Sequence, residues 1–594
     1  MKVIKRDGRA VEYNREKIKI AIEKANHDVN EKERITEKQI NTIIKYIESL
    51  NKKRILVEDI QDIIEKKLME IKKFDLAKAY IIYRYNRALI RKSNTTDQLI
   101  LNIIKNKEKD EKTKSKNQKN IIAEEVSKDL TKRILLPEKI SKAHEEGIIY
   151  FHNQEHFIRP IINESILNIE NLLNKEIIIN NKKIKPPEDF QTAMLLLRQA
   201  IFLISNNQYG NQTIDTSHLG KYLKQTKENI KKEIKEKEKQ TSIINKIITN
   251  EIKALYEEIN TLEEENDLSV TLLLNIKEKD PYKKENIEII KEILIQKENA
   301  KTNPKIIYVL NKNQKQTKKL TDLALELTKK GITISYASAK KLKDGKENEY
   351  TKVNYQTYLI PKKDETKTYI SEGRFNQGVV TLNLPQIAIL SKENQDKFFE
   401  LLEDRLEICY EALMCKHYAL LTATSSISKM HYQNGAISRL EENEKIDKLL
   451  KDNYSTLSLT FVGLNEATKI IKNEKEREKF AIKILKTLKE HTNKWQKETK
   501  IGFILTEIEN PKTKELLKID KEKFGIIKEI TDKDSYTDAY HQNIENSIEK
   551  LETEQKYKQY LTNPKTKVTL KDENPEDLLN YIYENINYVE IKKE

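Results

Sequence analysis

Short runs of β-branched and aromatic residues alternate with longer helical patterns over most of this chain. Clear runs occupy residues 306–310 (IIYVL), 379–382 (VVTL) and 455–461 (STLSLTF). Runs of this length between amphipathic helices are typical of βαβ units, in which the strands lie parallel in one sheet and helices cover it. We therefore predict an α/β fold with many parallel strands over residues 121–594.

One long helical stretch in this region carries an apolar seam. Its members are separated alternately by four and three residues, as in a coiled coil: Ile248, Ile252, Leu255, Ile259 and Leu262. Such a seam serves either a dimer interface or packing within the subunit, and both alternatives stay open from the sequence.

Residues 1–92 show a different pattern, which predicts a small helical bundle with a short β cover. The pair Asp7-Gly8, between the segments 2–5 and 9–13, favours a hairpin because it accepts positive φ. Asn14 can cap the following helix, whose apolar positions have helical spacing: Ile18, Ala21, Ile22 and Ala25. Further helices are predicted at 36–51, 57–71 and 77–91.

The segment 93–120 loses most of its apolar periodicity after Ile104 and contains the charged run KNKEKDEKTKSKNQKN. A polar segment of this kind is typical of a linker. We predict three parts: a first domain at 1–92, a charged linker at 93–120 and a large α/β domain at 121–594.

The formal net charge is +15, but the basic residues are interleaved with glutamates, as in KKEIKEKEKQ at 231–240. Interleaved charge is typical of solvated helix faces, so a nucleic-acid partner is not favoured. No run approaches 18 apolar residues, and the start MKVIKRDGRAVEY lacks the apolar core of a signal peptide. We therefore predict no membrane span and a cytoplasmic location.

Five short elements follow one another in the first 90 residues. They are KRDG at 5–8, Asn14, the pair Lys17-Ile18, VEDIQDIIEKKL at 57–68 and AYIIYR at 79–84. Together they resemble an ATP-cone, the allosteric nucleotide-binding module of ribonucleotide reductases. A tight turn with basic side chains near a helix start also suits phosphates. The resemblance implies that ATP or dATP binds as an allosteric ligand to Val3, Lys5, Arg6, Asn14 and Lys17.

Longer motifs cover nearly all of the remaining sequence. They lie at 124–133 (EEVSKDLTKR), 143–153, 205–219, 372–389 (EGRFNQGVVTLNLPQIAI), 404–417, 434–440, 454–464, 519–537 and 581–590. These motifs resemble the catalytic subunit of the anaerobic, class III ribonucleoside-triphosphate reductases. The resemblance implies a ten-stranded α/β barrel preceded by the ATP-cone, and usually a homodimer.

The resemblance also implies a cysteine that carries a thiyl radical, on a loop inside the barrel before RFNQGVV. The matching segment here is NYQTYLI at 354–360, and Tyr355 falls at the expected cysteine position. The chain has two cysteines, Cys409 and Cys415, so none lies between residues 1 and 408. The O–H bond of tyrosine is too weak for its radical to abstract the ribose 3′ hydrogen efficiently, so we assign no catalytic residue.

A second family cysteine, on an early barrel strand, is matched by INESILN at 162–168, where Glu164 and Ser165 occupy the cysteine positions. Cys409 and Cys415 lie six residues apart on a predicted helix and therefore point in different directions. We predict that both are core residues.

Family members carry a zinc-binding CxxC…CxxC module and a glycyl-radical loop after the last strand that this chain matches. This sequence contains no CxxC pair, and Gly525 is its last glycine. We therefore expect no zinc, no other metal ion and no glycyl radical in this chain. A separate glycyl-radical fragment or an activase is the partner that the resemblance then implies.

Some polar residues fall in motifs that approach the nucleotide substrate in the family. The resemblance implies a substrate pocket that includes His152, Asn207, Asn376, Ser455 and Thr456. The hydroxyl groups of Ser455 and Thr456 are expected to donate hydrogen bonds to a phosphate at the barrel mouth.

Our leading hypothesis is a reductase-like protein that binds ATP or dATP through its ATP-cone and is not catalytically competent alone, a pseudoenzyme. A second hypothesis is an active reductase that makes deoxyribonucleotides with a separately encoded radical subunit. A third is a regulatory or nucleic-acid-binding protein that responds to nucleotides, which salt-dependent retention on DNA would support.

Overall fold

A computed structural model gives the structure of most of the chain. It describes residues 2–4, 10–27, 29–52, 54–85, 115–266, 269–277, 279–300, 303–311, 315–343, 362–363, 369–370, 372–508, 512–538, 544, 546–562, 566–570 and 574–593. The chain forms two compact units, Met1–Asp129 and Leu130–Glu594. Lys5, Arg6 and Tyr355 lie outside the described residues, and the predicted limits 1–92, 93–120 and 121–594 stay predictions.

The first unit combines a small sheet with a helical bundle, as predicted. Its elements are β1 (Lys2–Ile4), β2 (Ala10–Glu12), α1 (Arg15–His27), α2 (Glu37–Ser49), β3 (Arg54–Leu56), α3 (Val57–Glu70) and α4 (74–85). β1 pairs antiparallel with β2, which confirms the hairpin, and parallel with β3. The sequence did not predict β3, because three residues are too few to show an alternation.

The start of α1 and the core of the first unit also follow the predicted pattern. The Asn14 Oδ1 atom accepts a hydrogen bond from the backbone N–H of Glu16 at 2.9 Å, so Asn14 caps the helix. The buried apolar residues lie at helical spacing on α1, α2 and α3, and include Ile18, Ile22, Ala25, Ile40, Ile44, Ile47, Ile60, Ile64 and Leu68.

The second unit is built around one large sheet. Its strands are β4 (Ile149–Phe151), β5 (Glu164–Ile166), β6 (Ile177–Ile179), β7 (Lys182–Ile184), β8 (Gln212–Asp215), β9 (Val270–Leu274), β10 (Lys305–Leu310), β11 (Ile334–Ser338), β12 (Lys362–Lys363), β13 (Tyr369–Ile370), β14 (Arg374–Asn383), β15 (Ser455–Val462), β16 (Gly502–Leu505), β17 (Thr566–Leu570) and β18 (Tyr588–Lys593). The pairs β6–β7 and β12–β13 form separate two-stranded sheets.

The remaining helices of the chain alternate with these strands, except that the first of them belongs almost wholly to the first unit. They are α5 (Ser115–Leu130), α6 (Glu138–Glu145), α7 (Ile169–Leu173), α8 (Phe190–Ser205), α9 (Gly220–Glu233), α10 (Lys237–Asn266), α11 (Lys283–Ala300), α12 (Lys315–Lys329), α13 (Ala339–Lys343), α14 (Leu384–Ser391), α15 (Gln395–Leu421), α16 (Lys429–Tyr432), α17 (Leu464–Ile471), α18 (Glu474–Thr499), α19 (Thr513–Phe524), α20 (Ser547–Lys558) and α21 (Pro575–Asn585). Among the helices in the described ranges, none combines the length and apolar character that crossing a membrane requires.

The strand order of the large sheet confirms the α/β fold. Ten strands follow one another as β16-β15-β14-β5-β8-β9-β10-β11-β18-β17, and β4 pairs additionally with β14. The pairs from β5 to β11 are parallel, as are β14–β15, β15–β16 and β17–β18. The contacts β14–β5 and β11–β18 are antiparallel. The five neighbouring strands from β5 to β11 therefore run in one direction. The strands on either side of them, β14 to β16 and β17 to β18, run in the opposite direction.

Closure of the ten strands into a barrel would require β16 to meet β17. The described residues contain no ladder between these two strands. The backbone N–H of Thr562, just before β17, nevertheless donates to the carbonyl of Leu505 at the end of β16, at 2.7 Å. The two edges of the sheet therefore approach each other, which supports the barrel that the resemblance implies.

The apolar seam on α10 packs within the subunit. Ile252, Leu255 and Ile259 are at most 1% exposed, and Ile248 and Leu262 are buried as well. All five belong to the core that α8, α11 and strands β8 to β11 share. Of the two alternatives for this seam, internal packing is the one observed.

Candidate functional site

A cavity of about 360 Å³ lies in the first unit, between the small sheet and the helices. Its size is within the range of small-molecule sites. The walls come from β1, β2 and helices α1, α3 and α4, and the lining residues include Val3, Tyr13, Asn14, Lys17, Gln61, Tyr80, Tyr83 and Arg84. Three of the five predicted nucleotide-binding residues therefore line one cavity: Val3, Asn14 and Lys17.

The position of Lys17 follows from the cap on α1. Because Asn14 starts the helix, Lys17 lies one turn inside it and reaches the same cavity as Asn14. The N-terminus of a helix favours anions, since its first N–H groups lack helical partners and its dipole is positive there. Lys17 adds a formal positive charge at this end of the cavity.

Three aromatic side chains also line the cavity: Tyr13, Tyr80 and Tyr83. Burial, with the Glu48 carboxylate adding to it, raises the pKa of Tyr13 to about 12. Burial also raises the pKa of Tyr80. Both phenols are therefore neutral near pH 7, and they offer flat faces and hydrogen-bonding groups rather than charge.

Arg84 was missed by the sequence prediction, although AYIIYR at 79–84 contains it. Its guanidinium contacts Asp62 at 2.7 Å and Glu65 at 2.8 Å and also pairs with Glu58. Burial opposes the charge of Arg84, but the hydrogen bonds to these carboxylates outweigh burial and raise the pKa of the guanidinium. Arg84 thus ties α4 to α3 and holds the cavity wall in place.

In the second unit, the structure brings together Asn376, Ser455 and Thr456 on the neighbouring strands β14 and β15. The Asn376 Nδ2 atom donates to the Thr456 carbonyl and to the Ser458 Oγ atom, both at 2.9 Å. The Asn376 Oδ1 atom accepts from Asn163 Nδ2 at 2.9 Å. These buried side chains therefore hydrogen-bond within the sheet.

Ser455, which was predicted to donate to a phosphate, has its hydroxyl engaged inside the protein. Its hydroxyl donates to the Leu449 carbonyl at 2.7 Å and accepts from Gln377 Nε2 at 2.9 Å. A serine has one hydroxyl proton, so donation to a phosphate would require this bond to break. The physical reason is the burial of β15, where every polar group needs a partner inside the protein.

His152 directly follows β4 and contacts β14 at a different point. Its Nε2 atom is 2.7 Å from Thr381 Oγ1, five residues from Asn376 and therefore about 17 Å along the strand. The Lys416 ammonium donates to the His152 carbonyl at 2.7 Å. Burial lowers the pKa of His152 and lowers that of Lys416 to about 7. Sequence reasoning missed Lys416, whose only signal is a charged residue within a long, largely buried helix.

Asn207 does not join either group. It is half-buried, and its Nδ2 atom donates to the Leu203 carbonyl of the preceding helix α8 at 3.2 Å. Ser165, at a predicted cysteine position, donates to Gln208 Oε1 at 2.6 Å. Among the five substrate-pocket predictions, the structure thus clusters three and separates His152 and Asn207 from them.

The two cysteines are core residues, as predicted. Cys409 is fully buried on α15, and Cys415 packs against the same core from a half-buried position. Burial raises the pKa of both thiols. Metal binding requires thiolates, so these two residues do not suit a shared zinc site.

Comparisons with known proteins agree with this architecture. Residues 106–593 match the family described as anaerobic ribonucleoside-triphosphate reductase, and residues 1–89 match the ATP cone domain. The fold and the cavity thus define a reductase-type α/β protein with an N-terminal ATP-cone. The chain belongs to the anaerobic ribonucleoside-triphosphate reductase family.

Relatives from bacteria and a phage resemble the chain over most of its length. The anaerobic ribonucleoside-triphosphate reductase of Haemophilus influenzae is 29% identical in an alignment 606 residues long, gaps included. The alignment covers 93% of this chain and 84% of that protein. The protein of the same name from Enterobacteria phage T4 is 29% identical over 476 residues, covering 74% and 77%. The one from Escherichia coli is 25% identical over 605 residues, covering 93% and 83%.

Solved structures share the fold. The anaerobic ribonucleotide reductase from Thermotoga maritima with MES in the active site has a TM-score of 0.64 at 14% identity, covering 85% of this chain and 90% of that one. The same enzyme with dATP bound in the specificity site has a TM-score of 0.63 at 15% identity, covering 84% and 88%.

Proposed function

We propose that this protein binds ATP or dATP as an allosteric ligand in the cavity of its ATP-cone. The observation that carries the proposal is the cavity of about 360 Å³ lined by Val3, Asn14 and Lys17. The match of residues 1–89 to the ATP cone domain supports the same site. The predicted contacts of Lys5 and Arg6 belong to this proposal, because residues 5–9 connect β1 to β2 in the chain and both strands line the cavity.

The chemistry of the cavity fits the parts of a nucleotide. Tyr13, Tyr80 and Tyr83 supply aromatic faces on which an adenine can stack. Lys17 at the start of α1 attracts the phosphates, and Gln61 offers an amide to the base or the ribose. Arg84 supports the site indirectly. Its guanidinium pairs with three carboxylates and so fixes the position of the cavity wall rather than binding the nucleotide.

Titration of the purified full chain with ATP and dATP by calorimetry tests this site. We expect micromolar binding and an affinity about 10- to 150-fold lower for Lys17→Ala, because a charge-assisted hydrogen bond contributes about 1.5–3 kcal/mol. Lys5→Ala combined with Arg6→Ala is expected to abolish binding. Lys24→Ala is the matched control, since Lys24 lies exposed on the same helix and outside the cavity.

Two results would count against the nucleotide site. One is no binding of either nucleotide by a chain whose circular dichroism and thermal melting show a folded protein. The other is an equal loss of affinity in Lys17→Ala and Lys24→Ala, which would point to a general effect of charge.

We further propose that the chain does not reduce ribonucleotides by itself. No cysteine lies between residues 1 and 408, and Tyr355 matches the position of the family's radical-bearing cysteine. Cys409 and Cys415 lie in the core of α15, where burial keeps the thiols protonated. Reductase activity of the isolated chain, measured anaerobically as deoxyribonucleotide formation, would contradict this proposal.

The alternative is an active reductase that receives its radical from a separate fragment. Adding a glycyl-radical fragment and its activase to the same assay distinguishes the two proposals. Deoxyribonucleotide formation that depends on both additions would establish the alternative, and its continued absence would support a purely nucleotide-binding role.

A homodimer is the assembly that we propose. Leu195 and Phe202 lie seven residues apart on one side of α8 and are 47% and 46% exposed. Exposed large apolar side chains on one helix face are typical of an interface. Ile243 of the neighbouring helix α10 is exposed as well.

A further inference from the structure

Three possible metal ligands converge at one end of the large sheet. Asp215 is the last residue of β8, His218 ends the short turn Thr216–His218 that follows, and Glu372 lies just before β14. One ligand atom from each of these residues lies within 4.8 Å of the other two. The His218 Nε2 atom is 2.7 Å from Glu372 Oε1, although the two residues are 154 positions apart.

The backbone holds the first two ligands in place. The Asp215 Oδ1 atom accepts the N–H of Ser217 at 2.9 Å, which closes the turn. The Thr216 hydroxyl donates to the Leu273 carbonyl on β9 at 3.1 Å, and Asn286 donates to the Ser217 carbonyl at 2.9 Å. The turn that carries Asp215 and His218 is therefore anchored on two sides.

Gly373 positions the third ligand. Its φ is +70°, and a Cβ atom there would lie 2.5 Å from the Ile437 carbonyl oxygen, so this residue must be glycine. The Gly373 N–H donates to the Ile166 carbonyl at 2.8 Å. These contacts direct the chain so that Glu372 faces His218.

A second cavity, of about 210 Å³, borders one of the three residues, His218. Ser217 and His218 form part of its wall, together with Lys221, Lys277 and Asp280. A cation bound by the three side chains would have space on this side for water or an anionic ligand. The side chains of His218 and Glu372 are only 15% and 11% exposed, so such a cation would be largely shielded from solvent.

We propose that Asp215, His218 and Glu372 bind a divalent transition-metal ion. One imidazole nitrogen with two carboxylate oxygens is a donor set that Zn²⁺ and Mn²⁺ accept, whereas Mg²⁺ prefers oxygen ligands alone. The ion would replace the hydrogen bond between His218 and Glu372, and water molecules would complete its coordination. All three ligands belong to the second unit, so the proposal does not rest on nucleotide binding by the ATP-cone.

Metal titration of the full chain without nucleotide tests the site. After treatment with a chelator, we expect one equivalent of Zn²⁺ or Mn²⁺ to bind in calorimetry and to raise the melting temperature. The electron paramagnetic resonance spectrum of bound Mn²⁺ should show coupling to one imidazole nitrogen. His218→Gln should remove that coupling, and both His218→Gln and Glu372→Gln should weaken binding at least tenfold.

His491→Gln is the matched control. His491 Nε2 lies 2.9 Å from a Glu403 carboxylate oxygen, so this residue forms a histidine–glutamate pair without a third ligand among the described residues. Its substitution should leave metal binding unchanged. Failure of the folded wild-type chain to bind Zn²⁺ or Mn²⁺, or equal binding by wild type and His218→Gln, would overturn the proposal. Circular dichroism shows whether each variant is folded. If a variant is unfolded, the presence or absence of nitrogen coupling in the Mn²⁺ spectrum of the wild type tests whether His218 is a ligand.

Discussion

Gly378 makes room on β14 for a long side chain from α15. Its φ is +156°, and it lies at a register shift between β14 and β15. A Cβ atom at this position would lie 2.3 Å from Cδ of Lys416. Lys416 uses this space to reach the His152 carbonyl, and its ammonium also lies 3.9 Å from the centre of the Phe151 ring. A single glycine therefore permits the buried contact between α15 and the sheet.

We expect Gly378→Ala to lower the free energy of unfolding by about 3 kcal/mol or more, because it combines backbone strain with overpacking. Gly331→Ala is the control: its φ is +84° and nothing lies within 4 Å of an added Cβ, so only strain of about 1–2 kcal/mol is expected. Urea denaturation measures both. In a Lys416→Ala background the cost of Gly378→Ala should shrink, and an equal cost in both backgrounds would contradict this explanation.

At the scale of one element, the burial of α10 decides whether its apolar seam serves a dimer interface or packing within the subunit. The seam Ile248 to Leu262 has the spacing of a coiled coil, yet its residues contact α8, α11 and the sheet of the same chain. A three–four spacing defines only an apolar stripe on a helix, and any apolar partner can cover it. The stripe is covered here by the subunit's own core.

Leu255→Ala should therefore destabilise the protein by about 2–5 kcal/mol, the usual cost of a cavity in a core. Lys246→Ala on the same helix should cost below about 1 kcal/mol, because Lys246 is exposed. The free energy of unfolding in urea gives both values. Similar small losses for the two variants would mean that the seam does not pack as described.

At the scale of the whole molecule, several described histidines are buried without charge. Burial lowers the pKa of His144 and His431 to about 3 and that of His417 to about 4. Burial lowers the pKa of His152 as well. An unfolded histidine titrates near 6.5, so the unfolded chain takes up protons below that pH that the folded chain does not.

Stability should accordingly fall as the pH falls from about 6.5 towards 5, because protonation favours the unfolded state in this window. Urea denaturation at several pH values measures the slope. His144→Gln should flatten the slope. A slope that is the same in this variant and in the wild type would exclude His144 as a source of acid sensitivity.

The proposed homodimer gives a prediction at the same scale. Phe202→Ser should shift the protein towards monomer in analytical ultracentrifugation, because it removes a large apolar side chain from the exposed face of α8. Ile526→Ser is the control, since Ile526 is 74% exposed on a different part of the second unit. A wild-type chain that is monomeric at micromolar concentration would rule out the dimer.

Local pattern was enough to predict several helices and strands and part of the candidate site. The β-branched runs became β10, β14 and β15, and Asn14 starts α1 beside Lys17 in the cavity wall. These features depend on neighbours within a few residues, so the sequence by itself determined them. The same is true of the cysteines, since their number and positions are properties of the sequence.

Tertiary structure alone decided how distant segments meet. The antiparallel contacts β14–β5 and β11–β18, the burial of Lys416 and the approach of His218 to Glu372 each join residues far apart in the chain. Ser455 likewise donates to Leu449 because its strand is buried on both faces. Side-chain spacing reports only which face of an element is apolar, whereas pairing between elements depends on the packing of the whole sheet and its helices.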